Sequence, residues 1–388
     1  MINLPIDPAL QARCDQQVAD AEWVADQTRL DELCQQWRRQ PLVALDTEFI
    51  RTDTFYPKPG LIQVGVEDGI YLIDPLAIED MQPLAALFDD PAVLKLLHAG
   101  SEDLELFVSQ YGTVPRPLFD TQVACAFTGL GLSIGYQRLL ETFFNLSVDK
   151  QETRSDWLQR PLTESQRRYA ALDVVYLAEI YRRLKARLEE TGSYAWVMAE
   201  CAQLAEEALH EPDPSQYYQR FRQAWKLKPQ QLAVLRATTT WREAVARERN
   251  MPRNFVIHNN SLMGIATKPP RTLRELSMVE QIRGRTVSKD GQQLLDLIAA
   301  AAAADSAPAA LDAPLPPAEV ARTKALKKLV QSVAERWEIA PELLVRKRDL
   351  EALVRSGMGG GEYRLPPGLC GWREAIIGQP LLQLVQQR

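Results

Sequence analysis

The chain has 388 residues and a mass of 43.8 kDa, too long for one ordinary domain, and its 46% hydrophobic and 25% charged composition excludes a disordered, collagenous or disulfide-stapled polypeptide. No run approaches the about 18 consecutive apolar residues of a membrane-spanning helix, and Met1 to Asp20 lacks the basic-then-apolar order of a signal peptide. The net charge of −6 conceals a split: residues 1–212 hold 18 basic and 34 acidic side chains (net −16), residues 213–290 hold 15 and 6 (net +9), and residues 316–388 hold 12 and 8 (net +4), an acidic body with basic appendages suited to a polyanionic partner.

The first half predicts strands alternating with helices. Pro41 to Phe49 is a short apolar run ending in acids, the pattern of a buried strand. Leu61–Val66 and Ile70–Asp74 flank Glu67, Asp68 and Gly69 and predict a hairpin. A helix is expected around Pro83–Asp89 and a strand over Val93–His98. Ser101 then reads as the N-cap of a helix whose first turn carries Glu102 and Asp103. Further helices are expected over Thr121–Phe127, Gly135–Phe144 and, as one long element, Thr163–Glu190. An antiparallel meander followed by strand–helix crossovers specifies an α/β fold on a mixed sheet.

From about residue 195 the periodicity is helical. The expected organisation is an α/β domain over 1–195, a helical connector over 196–212, a helical module over 213–299, an Ala/Pro-rich linker over 300–317 and a second helical module over 318–388. Trp241 and Phe255 fall in the apolar period and are expected in the core. The five cysteines are dispersed without a CxxC pair, which predicts reduced thiols and a cytoplasmic protein. The three histidines stand apart from each other and from the cysteines, which argues against a zinc site and against histidine-based nucleophilic catalysis.

The chemistry-bearing residues are carboxylates. Asp46 and Glu48 sit at positions i and i+2 at the end of an apolar strand, so the pleat aims both at one site. Asp103 follows just inside the next helix, and Tyr169 and Asp173 stack at i and i+4 on another. Singly, Asp103 is a first-turn acid that favours the helix dipole, and Asp173 is an ordinary helix acid. Together the four acids form an oxygen-only donor set for Mg²⁺ or Mn²⁺, and two such ions about 4 Å apart suit in-line phosphoryl displacement.

Leu45-Asp46-Thr47-Glu48-Phe49, His98-Ala99-Gly100-Ser101-Glu102-Asp103 and Tyr169-Ala170-Ala171-Leu172-Asp173 resemble the three exonuclease motifs of the DEDD superfamily, in its DEDDy branch. The tract Arg154 to Leu162 ahead of the third motif resembles bacterial ribonuclease D, and the likeness covers residues from about 20 to 195. Trp241 to Asn254, continuing through Leu262, Ile265 and Leu273, resembles the helical HRDC domain, and residues 318–388 resemble a second one loosely.

The resemblance implies a ribonuclease H-like mixed-sheet exonuclease domain followed by two small all-α HRDC-like domains. It implies that Asp46, Glu48, Asp103 and Asp173 hold two divalent metal ions, Mg²⁺ or Mn²⁺, while Tyr169 orients the attacking water. It further implies a 3′→5′ exoribonuclease that releases nucleoside 5′-monophosphates from RNA with a free 3′ end, in maturation of tRNA precursors and other small structured RNAs. The enzyme is expected to act as a monomer, without a membrane or protein partner. Arg242, Arg247, Arg249, Arg253 and Lys268 are the expected phosphate contacts of the basic module. Two rivals stay open on sequence alone: the same chemistry on DNA, and an RNA-binding protein without catalysis. A helicase is excluded by the absence of a GxxxxGK[ST] phosphate loop.

Overall fold

The computed structural model describes residues 6–148, 152, 154–304 and 306–387, which fall into two compact units, one within residues 1–50, 59–209 and 315–388 and the other within residues 51–58 and 210–314. The first unit is built on a six-stranded mixed sheet of β1 (Glu22–Val24), β2 (Leu42–Ile50), β3 (Lys58–Val66), β4 (Gly69–Ile73), β5 (Leu94–Leu97) and β6 (Leu118–Asp120), in the order β1-β4-β3-β2-β5-β6. β3 and β4 form the antiparallel hairpin, whereas β2, β5 and β6 run parallel and so end on the same side of the sheet. Val43, Ala44 and Leu45 of β2 are fully buried, as a central strand covered on both faces requires.

The helices of this part are α1 (Pro8–Ala19), α2 (Gln27–Trp37), α3 (Gln82–Phe88), α4 (Ser101–Tyr111), α5 (Thr121–Cys125), α6 (Tyr136–Phe144), α7 (Glu164–Val175), α8 (Leu177–Glu190) and α9 (Tyr194–Leu209). α7 packs on β2 and β4, and α8 on β2 and β5. Two expectations change here. The long helix over Thr163–Glu190 is broken at Tyr176, where φ −95° and ψ −8° end α7. Ser101 is the first helical residue and Gly100 the N-cap, because the preceding turn is held by Asp120, whose carboxylate accepts from Ala99 N (3.1 Å) and Gly100 N (2.8 Å). α7 itself starts on a capping box, in which Thr163 and Gln166 bond each other's backbone N–H at 3.1 and 2.9 Å.

The second unit holds α10 (Pro229–Glu248), α11 (Arg253–Val256), α12 (Asn259–Thr267), α13 (Leu273–Ser277) and α14 (Gly284–Ala303) around one apolar cluster. Arg51–Lys58, the segment that follows β2, belongs to this unit. Phe55 is buried in its cluster beneath the guanidinium groups of Arg247 (4.8 Å) and Arg253 (4.6 Å), and the backbone N–H groups of Phe55 and Tyr56 both donate to Asn250 Oδ1 at 3.0 Å.

The C-terminal helices are α15 (Pro317–Trp337), α16 (Pro341–Leu344), α17 (Lys347–Ser356) and α18 (Gln379–Gln386). The sequence separates 318–388 as a module of its own; in the structure residues 315–388 share one core with the sheet-bearing unit. Tryptophans join them: Trp196 of α9 stacks on Trp372 (5.2 Å, 14°) and meets Trp337 edge-on (5.1 Å). Beneath them a buried ion pair joins Arg373 to Glu200 of α9 at 2.6 and 2.8 Å, and Ala340 N donates to Ala126 O at 2.7 Å. Among the described residues no helix is long and apolar enough to cross a membrane.

Candidate active site

The carboxyl ends of β2, β5 and β6 supply the site, as expected for ligands of a sheet with parallel strands. Asp46 and Glu48 occupy alternate positions of β2, the strand on which α7 packs. On α7, Tyr169 and Asp173 share a face, and the Tyr169 hydroxyl hydrogen-bonds to the Asp173 carboxylate. One oxygen each from Asp46, Glu48 and Asp173 lies within 4.8 Å of the others. Asp103, in the first turn of α4, stands beside this triple, and its Oδ1 accepts a hydrogen bond from the hydroxyl of Thr47, the residue between the two β2 acids.

Burial and mutual repulsion dominate the electrostatics. Burial, then the charges of Asp103, Asp173 and Glu48, hold the Asp46 carboxyl far above the ordinary carboxylate range. Burial and the neighbouring Asp173 and Asp103 push Glu48 up to about 9. Asp173 rises to about 7, through burial and Asp103 against the Tyr169 hydrogen bond, and Asp103 rises to about 6 through burial against that of Thr47. Such a cluster keeps its protons unless cations neutralise it. An all-oxygen donor set whose ionisation calls for nearby positive charge fits Mg²⁺ or Mn²⁺.

The surroundings hold these groups in place. His98 Nε2 bonds the Ile134 carbonyl at 3.1 Å, and since a carbonyl only accepts, Nε2 carries a proton; Nδ1 lies 2.8 Å from the Thr121 hydroxyl, which itself donates to Leu97 O at 3.1 Å. Burial keeps this imidazole below its usual pKa and therefore neutral. Within the tract before α7, Arg160 binds Asp74 (2.6 and 2.8 Å) and Gly60 O (2.6 Å), clamping the loop to the sheet. Trp157 is thereby set 6.1 Å from the Tyr169 ring. Only glycine fits at position 60, where a Cβ would meet the Trp157 Cβ and carbonyl oxygen at 2.7 Å. Sequence reasoning missed Asp120 and Arg160; the one signal for Asp120 was an acid followed directly by a helix start.

The basic residues expected to meet phosphate fare differently. Arg242 is only 4% exposed and bonds Asn259 and Glu243, so it is an interior residue and not a phosphate contact. Glu243, fully buried, also pairs with Arg247 (2.8 Å) and Arg253 (2.8 Å), and Asp290 takes Arg249 in a fork at 2.6 and 2.8 Å. These arginines neutralise buried acids of their own unit, which the charge count could not reveal. Lys268 is exposed, as are Lys226, Lys228, Arg283 and Arg285. Trp241 is buried, whereas Phe255 is 42% exposed with Arg283 over its ring at 4.4 Å, contrary to its expected place in the core.

Comparison with known proteins follows the same division. Residues 21–189 match the 3′–5′ exonuclease family and residues 231–298 the HRDC domain family. The chain is 47% identical over 369 residues to ribonuclease D of Pseudomonas paraeruginosa, covering 95% of this chain and 98% of the relative. It is 37% identical over 364 residues to ribonuclease D of Escherichia coli, covering 92% and 96%. The crystal structure of Escherichia coli RNase D, described as an exoribonuclease involved in structured RNA processing, superposes with a TM-score of 0.88 at 36% identity, over 95% of this chain and 99% of that one.

Proposed function

Since this chain belongs to the ribonuclease D family and is a 3′→5′ exoribonuclease, we propose that it trims structured RNAs in the cytoplasm, tRNA precursors among them, from their 3′ ends and releases nucleoside 5′-monophosphates with the help of two divalent cations. The observation that carries this reading is the convergence of Asp46, Glu48 and Asp173 within 4.8 Å between β2 and α7, where burial and mutual repulsion make each carboxyl resist ionisation. These acids and Asp103 would hold the cations, whose charge when bound would favour attack by water and departure of the 3′-oxygen.

The protein's own groups do the rest. Tyr169 would orient the water, a reading supported by its hydrogen bond to Asp173 and by the Trp157 ring beside it. The neutral His98 and Asp120 fix the turn that leads into Asp103. An acidic body repels RNA, so capture falls to the exposed cations of the second unit. Lys226, Lys228 and Lys268 are suited to this: Gln231 ties the start of α10, next to Lys228, to Thr267 O at 2.8 Å.

The test is incubation of a 3′-extended tRNA and a matched single-stranded DNA with Mg²⁺ or Mn²⁺, beside Asp46→Ala. Single-nucleotide shortening of the RNA that disappears in the variant is the expected result. Shortening of DNA alone would replace RNA as the substrate, and metal-independent products would refute the carboxylate assignment.

A further inference from the structure

The α7–α8 break lies three residues past Asp173 and has a cause outside both helices. In an unbroken helix the Tyr176 N–H would bond the Leu172 carbonyl four residues back. Here it turns to Val174 O. The hydroxyl of Tyr136, the first residue of α6, donates to Leu172 O at 3.0 Å. A side-chain hydroxyl thus occupies the carbonyl that the Tyr176 N–H would otherwise take, a side chain entering the backbone ladder being one of the few physical causes of a sharp helix kink. The ring of Tyr136 rests against that of His98 at 5.5 Å, and His98 is itself bound to Ile134 O, two residues before Tyr136. Burial, with Asp173 and Asp46 close by, holds the phenol far above its usual pKa, so it remains a neutral donor.

We propose that Tyr136 is a positioning residue of the exonuclease reaction: its hydroxyl splices the broken turn after Asp173 and so sets the direction in which Asp173 and Tyr169 face the carboxylates of β2. The proposal rests on the reading that Asp46, Glu48 and Asp173 bind divalent cations. Leu172, whose carbonyl takes the hydroxyl, directly precedes Asp173. Without the hydroxyl, Leu172 O either loses its partner or takes the Tyr176 N–H away from Val174 O and straightens the helix. Either outcome re-aims the last turn of α7.

The test compares full-length wild type, Tyr136→Phe and Asp46→Asn by Mn²⁺ electron paramagnetic resonance, which counts bound ion without turnover. Mn²⁺-dependent trimming of RNA is followed in parallel. Tyr136→Phe keeps the ring against His98, and metal-free melting checks that it folds. The expected result is a rise in the Mn²⁺ dissociation constant of about five-fold, the equivalent of about 1 kcal/mol for one neutral hydrogen bond. The half-saturating Mn²⁺ for trimming should rise in parallel, with the rate at saturating Mn²⁺ largely kept. Para-aminophenylalanine at position 136, which returns a donor to the same ring, restores affinity. Lower melting with unchanged Mn²⁺ affinity would overturn the positioning role, as would failure of the amino variant to rescue. Mn²⁺ binding indifferent to Asp46→Asn would instead overturn the cation reading, and the proposal with it.

Discussion

Arg373→Ala tests whether the C-terminal helices are integral to the catalytic unit. Arg373 and Glu200 are 7% and 8% exposed, and two bonds at 2.6 and 2.8 Å join them. Arg373 also reaches Leu343 O at 2.9 Å, and Trp372 Nε1 donates to Glu200 at 2.9 Å. Removing the guanidinium leaves Glu200 with the indole N–H as its remaining partner from this cluster and orphans the Leu343 carbonyl. Breaking a buried pair from one side costs about 3–5 kcal/mol. For a unit of this size that lowers Tm by about 6–20 °C, at roughly 2–4 °C per kcal/mol.

The pH dependence supplies the sign. Burial raises the Glu200 pKa, but the Arg373 and Trp372 hydrogen bonds and the Arg373 charge outweigh it, so the folded value lies below the unfolded one. The wild-type pair therefore stabilises above the unfolded pKa and fades as pH falls through the folded one. In the variant the carboxyl can escape by protonation. Its deficit, measured by scanning calorimetry, is larger near about pH 8 than near about pH 5. A Tm loss below about 2 °C, or one that is equal at both pH values, would refute the reasoning.

Three further outcomes are expected. Because Glu48 and Asp173 are raised to about 9 and 7, metal-free protein should lose stability as pH rises from the unfolded carboxylate range towards those values, and Mn²⁺ should raise Tm more at alkaline than at acidic pH; thermal melts with Mn²⁺ and with chelator decide, and a pH-independent Mn²⁺ effect contradicts it. Gly60→Ala drives a methyl into Trp157, which backs Tyr169, and should destabilise by about 1–3 kcal/mol in denaturant melts while lowering the trimming rate; an unchanged rate would separate Trp157 from Tyr169. Changing Lys226, Lys228 and Lys268 together to Gln should reduce the slope of log affinity against log salt for RNA by about 2, whereas Arg249→Gln should lower Tm and leave that slope alone.

Much of the sheet-bearing unit and its site is legible in the sequence because each signal is local. Alternation along β2 places Asp46 with Glu48, and helical spacing places Tyr169 with Asp173. β1 and β6 escape notice because three residues are too few for any period. The break at Tyr176 is invisible because its cause, Tyr136, lies forty residues upstream. The arginines of α10 mislead for a different reason. A charge tally counts Arg242 and Arg247 as surface, yet both turn to Glu243, an acid that only the folded unit shows to be buried. The C-terminal helices read as separate because the linker before them is obvious, whereas the tryptophan cluster that seats them draws on positions 196, 337 and 372.

The seating of Phe55 under Arg247 and Arg253 bears on how such a chain can be shortened or inherited. The HRDC-bearing unit includes residues 51–57, which lie between β2 and β3 of the catalytic sheet, and the first residue of β3, so in the order of the gene it is interleaved and not appended. Cutting the chain after residue 212 would strand an aromatic ring and two backbone donors that belong to the missing part. The unit is therefore no cassette to be clipped off or grafted on at one junction. Any exchange between relatives has to carry the loop after β2 along with the helices that receive it.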